Sequence, residues 1–286
     1  MKRPREIARE EAAMATLVQL TSSFEGIASM RIAQIKDQVL QSTEFFNELW
    51  GIYSQVNVDE RFQFGREKNT AAIDKDLYIV LTAEGGFSGD IDQKLLRLMI
   101  SEYDQTKQDI IVIGSHGAAQ LAQRGVKFKK YFKMPTKDRD INVTPIIREV
   151  QSYRSTKLYY QEYLSLMRQD VKSIQLSTAV QERGTAVQGS EDTINEHTYI
   201  FEPSTYAVVA HLERSMMQIA VSQLLLESKL AQYAARFRAM SMSHQRASDT
   251  KDELHLDFNR ARRSVRDERL KEITNGLKKI RAGAST

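Results

Sequence analysis

From Ser204 to Arg281 the sequence contains no proline, and its one glycine is Gly276. Proline removes a helix hydrogen bond and glycine loosens the backbone, so nothing interrupts a helix here until its final turn. At about 1.5 Å per residue such a helix would be on the order of 115 Å long. A compact protein of 286 residues is only about half that across. Most of the helix must therefore project from any body and lie against another helix. The N-terminal stretch Pro4–Val56, also free of internal proline, is the candidate partner. Two long terminal helices around a mixed middle give a shaft with a body attached.

Composition adds exclusions. A net charge of +4, from 41 basic and 37 acidic residues, is too mild for a nucleic-acid partner. There is no cysteine, which removes disulfides and thiolate metal sites, and the five histidines form no H-x-x-x-H or H-E-x-x-H pattern. No cofactor or metal is expected. No apolar run reaches the roughly 18–20 residues that span a bilayer, and the opening MKRPREIAREE lacks a signal peptide's apolar centre. A chain soluble in itself, with no transmembrane segment, is expected.

Along the chain, Pro4 suits a helix start. Leu17, Leu20, Phe24, Ile27, Ile32, Ile35 and Val39 recur mostly at spacings of three and four, which predicts one packed stripe. Phe45, Phe46, Leu49, Trp50, Ile52, Tyr53 and Val56 widen the apolar face where the helix meets the body. Gly26 reads either as a close helix–helix approach or as a tolerated glycine. Asn57–Lys75 is polar and reads as a loop with room for a short strand. Asp76–Thr82 and Asp109–Gly114 are short β-prone apolar runs, each followed by a helix, Asp90–Gln105 and Ser115–Gln123. Two βα units in succession predict a parallel sheet. Val126–Phe132 reads as a third strand, and Thr144-Pro145 starts a helix carried to about Gln169. Val171–Val180 and His197–Phe201 read as closing antiparallel strands around a polar Gly184–Glu196 loop. The expected fold class is α/β, with a central Rossmann-like domain over 57–203. A long antiparallel coiled coil is formed by shaft helices over 1–56 and 204–286.

Three motifs invite chemistry. Glu84-Gly-Gly-Phe-Ser-Gly89 lies between a strand and a helix, where phosphates bind, but its spacing fits neither nucleotide fingerprint and no lysine follows it. A tight turn is the better reading. His116 could act as a base, yet no nucleophile pairs with it by spacing, and a structural role is the plainer reading. Asn259-Arg-Ala-Arg-Arg-Ser-Val-Arg-Asp-Glu-Arg269 is either a solvated face or a protein contact, since guanidinium groups bind carboxylates in bidentate pairs. No catalytic residue is assigned.

Several stretches resemble the γ subunit of F-type ATP synthases. Glu227-Ser-Lys-Leu-Ala-Gln-Tyr-Ala-Ala-Arg-Phe-Arg-Ala-Met240 is similar to the family's S-E-x-x-A-R-M-x-A-M. Asp252-Glu-Leu-His-Leu-Asp-Phe-Asn-Arg-Ala-Arg262 is similar to D-x-L-x-L-x-Y-N-R-x-R-Q. Glu202-Pro203, Leu81-Thr-Ala-Glu-Gly-Gly-Phe-Ser-Gly89 and Leu20–Ala33 fit family segments in the same order. The chain departs at Phe258 and Arg263, where the family has tyrosine and glutamine. It also departs at Ser22, Ser23, Glu25 and Met30, which thin the basic charge of the family's first helix and leave Arg31 and Lys36.

The resemblance implies a non-catalytic central shaft inside a ring of α and β subunits. Its foot would bind ε and a membrane c ring, on the cytoplasmic face of a bacterial-type membrane or the equivalent organelle face. It implies partner contacts through Phe24, Ile27, Met30, Arg31 and Lys36 on the first helix, and through Arg262, Arg263 and Arg266 on the last. Glu25 would repel acidic loops of the ring. Two other classes remain from the residues alone: a coiled-coil scaffold with an embedded α/β domain, and a small nucleotide-binding enzyme.

Overall fold

The computed structural model describes residues 3–55, 73–136, 141–176, 202 and 204–283. The elements run α1 (Pro4–Gln55), β1 (Ile73–Leu81), α2 (Ile91–Glu102), β2 (Gln108–Ile113), α3 (Ser115–Gln123), β3 (Lys130–Phe132), α4 (Thr144–Val150), β4 (Tyr153–Tyr163), β5 (Gln169–Gln175) and α5 (Thr205–Gly283). They fall into two compact units, Met1–Gly26 with Ala239–Thr286, and Ile27–Arg238.

In the larger unit the strand order is β3-β2-β1-β4-β5. β1 is parallel to β2 and β4, β2 is parallel to β3, and β5 closes the edge antiparallel to β4. Strand side chains alternate between faces. Leu77, Ile79, Leu81, Ile111, Ile113, Leu158 and Tyr160 pack on one side against Phe46 of α1, Ile146 and Ile147 of α4, and Met216, Ala220, Val221 and Leu224 of α5. Tyr78, Val80, Ile110, Val112 and Tyr159 pack on the other against Leu95, Leu96 and Met99 of α2 and Leu121 of α3. Further along, Ile35 of α1 meets Leu226 and Leu230 of α5.

β4 corrects the expected helix from Thr144 to Gln169. The helix starts as read, with the Thr144 N–H donating to Asn142 Oδ1 at 3.1 Å. It stops at Val150, and Tyr153–Tyr163 is a strand beside β1. The run Tyr153–Tyr163 holds four β-prone tyrosines, and it pairs with a neighbour on each side, where a helix would leave β1 and β5 apart. The expected closing strand at His197–Phe201 and the Gly184–Glu196 loop lie outside the described residues.

A close approach fixes α3 on the end of β1. Thr82 Oγ1 donates to Ile113 O at 2.9 Å and accepts from Gly117 N at 3.1 Å. A Cβ on Gly117 would lie 2.4 Å from Thr82 Cγ2, and on Gly114, whose φ is +102°, 2.1 Å from Thr82 O. Gly117→Ala is therefore expected to lower unfolding stability by about 1–3 kcal/mol, as overpacking does. Urea denaturation followed by circular dichroism measures it, and a loss below about 0.5 kcal/mol would show that Thr82 yields freely.

In the smaller unit α1 and α5 pair antiparallel. His244 Nδ1 donates to Val18 O at 3.2 Å, and the His255 ring meets Glu11 Oε1 at 2.9 Å. The covered positions of α5 step by three and four through Met240, His244, Ala247, Lys251, Leu254, Phe258 and Ala261, the heptad of a coiled coil. Every described side chain from Val265 to Leu277 is exposed.

Candidate partner-contact surface

The covered positions of α1 alternate in steps of three and four without a break: Pro4, Ile7, Glu11, Met14, Val18, Thr21, Glu25, Ala28, Ile32, Ile35, Val39, Ser42, Phe46 and Leu49. Leu17, Leu20, Phe24 and Ile27 are not among them. They are exposed, at 44%, 49%, 36% and 48%. The single packed stripe read from the sequence is thus two rows, one residue or about 100° apart round the helix. Between residues 17 and 28 the row turned inward is Val18, Thr21, Glu25 and Ala28, and the more apolar row is left outside. Glu25 is half-buried on the inward row. At Gly26 an added Cβ would meet nothing within 4 Å, so the glycine is simply tolerated.

The site residues read from the sequence form two groups. On α1, Met30 is exposed beside the outward row, Arg31 is half-buried with its Nη1 donating to Gln34 Oε1 at 3.3 Å, and Lys36 is exposed. On α5, Arg262, Arg263 and Arg266 are exposed. Arg262 and Arg263 follow Ala261 directly, the last buried position of α5 among the described residues, and Arg266 stands in the exposed stretch beyond. A helix face so placed can press on a partner by shape and offer cations to carboxylates. The glycine loop and His116 belong to something else.

Glu84, the first residue of the glycine loop, occupies the N-terminus of α3. Its carboxylate accepts from Ser115 N at 3.3 Å, Met134 N at 3.1 Å and the Tyr131 hydroxyl at 3.1 Å, while the Ser115 hydroxyl donates to Glu84 O at 2.6 Å. A carboxylate in that position repels a second anion. Among the described residues no group of three His, Asp or Glu is placed to hold a metal ion.

His116 Nδ1 donates to Asp92 Oδ2 at 2.7 Å. Asp92 is fully buried and also accepts from Ala83 N at 3.2 Å and Gln161 Nε2 at 2.7 Å. Gln161 Oε1 in turn accepts from Ser228 Oγ and from Gln232 Nε2 of α5. The hydrogen bond to Asp92 holds the His116 pKa above its ordinary value, against an opposing effect of burial. The Gln120 amide stands 3.1 Å from the other ring nitrogen, and its Oε1 is buried without a partner. Turning that amide over would let Oε1 accept from a protonated ring. This network was missed in the sequence. Its only local signal is Ser228, Lys229 and Gln232 interrupting an apolar run of α5.

Comparison with known proteins places these features. The family model described as ATP synthase matches residues 4–284. The ATP synthase gamma chain of Cytophaga hutchinsonii is 22% identical over 295 aligned positions, covering 96% of this chain and 98% of the relative. A chain in the Euglena gracilis mitochondrial ATP synthase (OSCP/F1/c-ring) superposes with a TM-score of 0.65 at 14% identity, covering 98% of this chain and 96% of that one. A chain of the rotor of the same synthase superposes with a TM-score of 0.61 at 14% identity, covering 91% and 98%. At that identity the superpositions show likeness of fold, and no helix among the described residues is long and apolar enough to cross a membrane. The family model reaches from the start of α1 to the end of α5, through both helices and the sheet between them, and the chain belongs to the ATP synthase family.

Proposed function

We propose that this chain is the central rotor shaft, the γ position, of a rotary ATP synthase or ATPase. The observation that carries the reading is the choice of seam on α1. A lone helix pair gains most by burying its most apolar row, yet here Leu17, Leu20, Phe24 and Ile27 stay outside and a row holding Thr21 and Glu25 goes in. An outer surface of that kind serves an enclosing partner. The gamma-chain relatives and the fold likeness to rotor chains support the same reading.

The shaft is formed by 1–56 and 204–286 and stands in a ring of α and β subunits. The α/β foot, 57–203, binds ε and the membrane c ring. The subunit is non-catalytic, with the active sites on its partners, and it is a peripheral protein of the cytoplasmic face of a bacterial-type membrane or the equivalent organelle face. Because its surface differs around its circumference, each angle favours a different set of β conformations through differential contact free energy, and ion flow through the c ring turns it. A tagged native chain is expected to bring down α, β, ε and c subunits together. Recovery of the chain with none of them would sink the reading.

Arg262, Arg263 and Arg266 are proposed to meet acidic groups of the ring. A hydrogen bond to a charged group in a partly desolvated interface is worth about 1.5–3 kcal/mol. The double variant Arg262→Ala/Arg263→Ala is expected to assemble and to change ATP turnover or coupling severalfold. Unchanged turnover and unchanged ATP-driven pumping would rule out a catch at these residues.

A further inference from the structure

α5 is attached to the sheet in two different ways. From Met216 to Leu225 the contact is apolar, through Met216, Ala220, Val221 and Leu224. From about one to nearly four turns further on, polar contacts take over. Lys229 Nζ donates to Pro135 O at 2.8 Å, Arg236 Nε to Gly86 O at 3.3 Å, and Arg238 Nη1 to Met167 O at 3.0 Å. Those carbonyls lie in the loops after β3, β1 and β4, all at the edge where the parallel strands end. Between these three cations, Ser228 and Gln232 bind the buried Gln161 of β4, which is anchored through Asp92 to α2 and α3.

We propose that this polar collar is the torsional key of the subunit, holding α5 at one angle to the sheet so that rotation of the foot is passed to the shaft without slip. The proposal rests on the rotor reading above. Apolar contact is non-directional and resists pulling apart better than rolling, whereas hydrogen bonds fix direction as well as distance. At about 100° per residue, Arg238 and Lys229 leave opposite sides of the helix, roughly 180° apart, with Ser228, Gln232 and Arg236 between them. Twist in either sense therefore stretches a bond on one side. A helix held on one face alone would roll about that face.

The test uses the assembled complex, with the ring fixed and a probe on the foot. In Gln161→Met/Ser228→Ala/Gln232→Met the angular variance of the probe is expected to rise at least about twofold, because the network that fixes the register is gone. ATP hydrolysis without load should stay within about twofold of the parent, and ATP-driven ion pumping should fall further than hydrolysis. Lys229→Met/Arg236→Met/Arg238→Met, which leaves the buried network alone, should do the same if the first variant fails to fold. Arg238→Lys keeps a donor and should keep the parental variance. Variance equal to the parent in either set, within complexes that assemble and turn, overturns the proposal. A native chain that joins no ring overturns the rotor reading, and this proposal with it.

Discussion

Phe24→Ala/Ile27→Ala/Met30→Ala is expected to cut ATP-driven turnover of the reconstituted ring at least about tenfold, which corresponds to some 1.4 kcal/mol of barrier. All three residues are exposed in the chain itself, so their loss should leave its helicity intact. If the ring covers them, each is worth about 1.5–3 kcal/mol of apolar burial, and part of that must differ between angles for the shaft to work. The charge on the same segment should matter less. Arg31→Gln/Lys36→Gln is expected to leave torque and turnover within about twofold, since exposed ion pairs give about 0–1 kcal/mol and are screened by salt. Steric push suffices, because close-packed groups resist deformation. Single-molecule rotation separates the two: collapse of torque in the charge variant with little change in the apolar one would assign the push to the cations.

The second large effect lies in the foot. Asp92→Ala removes the acceptor of Ala83 N, His116 Nδ1 and Gln161 Nε2 at one buried point. A buried donor left without its acceptor costs about 1–3 kcal/mol, and both Ala83 N and Gln161 Nε2 are buried, so the loss is a large share of a typical 5–15 kcal/mol stability. Chemical denaturation should show this loss, and should show a second change in its pH dependence. The His116 pKa is raised in the folded state above its ordinary value of 6.5. Its contribution is therefore complete below about pH 6.5 and is lost as pH rises through the raised value. In Asp92→Ala that decline with rising pH should vanish. Stability within about 1 kcal/mol of the parent would mean that the network rearranges around the gap.

The sequence made the two terminal helices and the first two strands legible for plain reasons. Nothing between Ser204 and Arg281 can break a helix, and Asp76–Thr82 and Asp109–Gly114 are short, apolar and bounded by turn residues. β4 was not legible. Thr144-Pro145 is a true helix start, and no glycine or proline afterwards marks the stop at Val150, so only pairing with β1 and β5 makes Tyr153–Tyr163 a strand. On α1 the apolar period was real but named the wrong face between Leu17 and Ile27, because Thr21 and Glu25 hold the inward row there. The arginines at 262, 263 and 266 were readable as a surface. The Gln161 network was not, since its members come from α2, α3, β4 and α5 and meet only in the fold.

The two rows on α1 set folding against assembly. A roll of α1 by about 100° would trade Val18, Thr21, Glu25 and Ala28 for Leu17, Leu20, Phe24 and Ile27 as the buried row. Judged by apolar content alone, the rolled pairing is the stronger one, and it would hide the outer surface from any partner. The observed pairing is held by specific links, His244 to Val18 O and His255 to Glu11, which a roll would break. Such links choose an arrangement without adding much adhesion. A newly made chain therefore carries a built-in competitor for its own binding face. Coverage by a ring removes that competitor, so this helix pair should settle most firmly when it folds in the company of its partners.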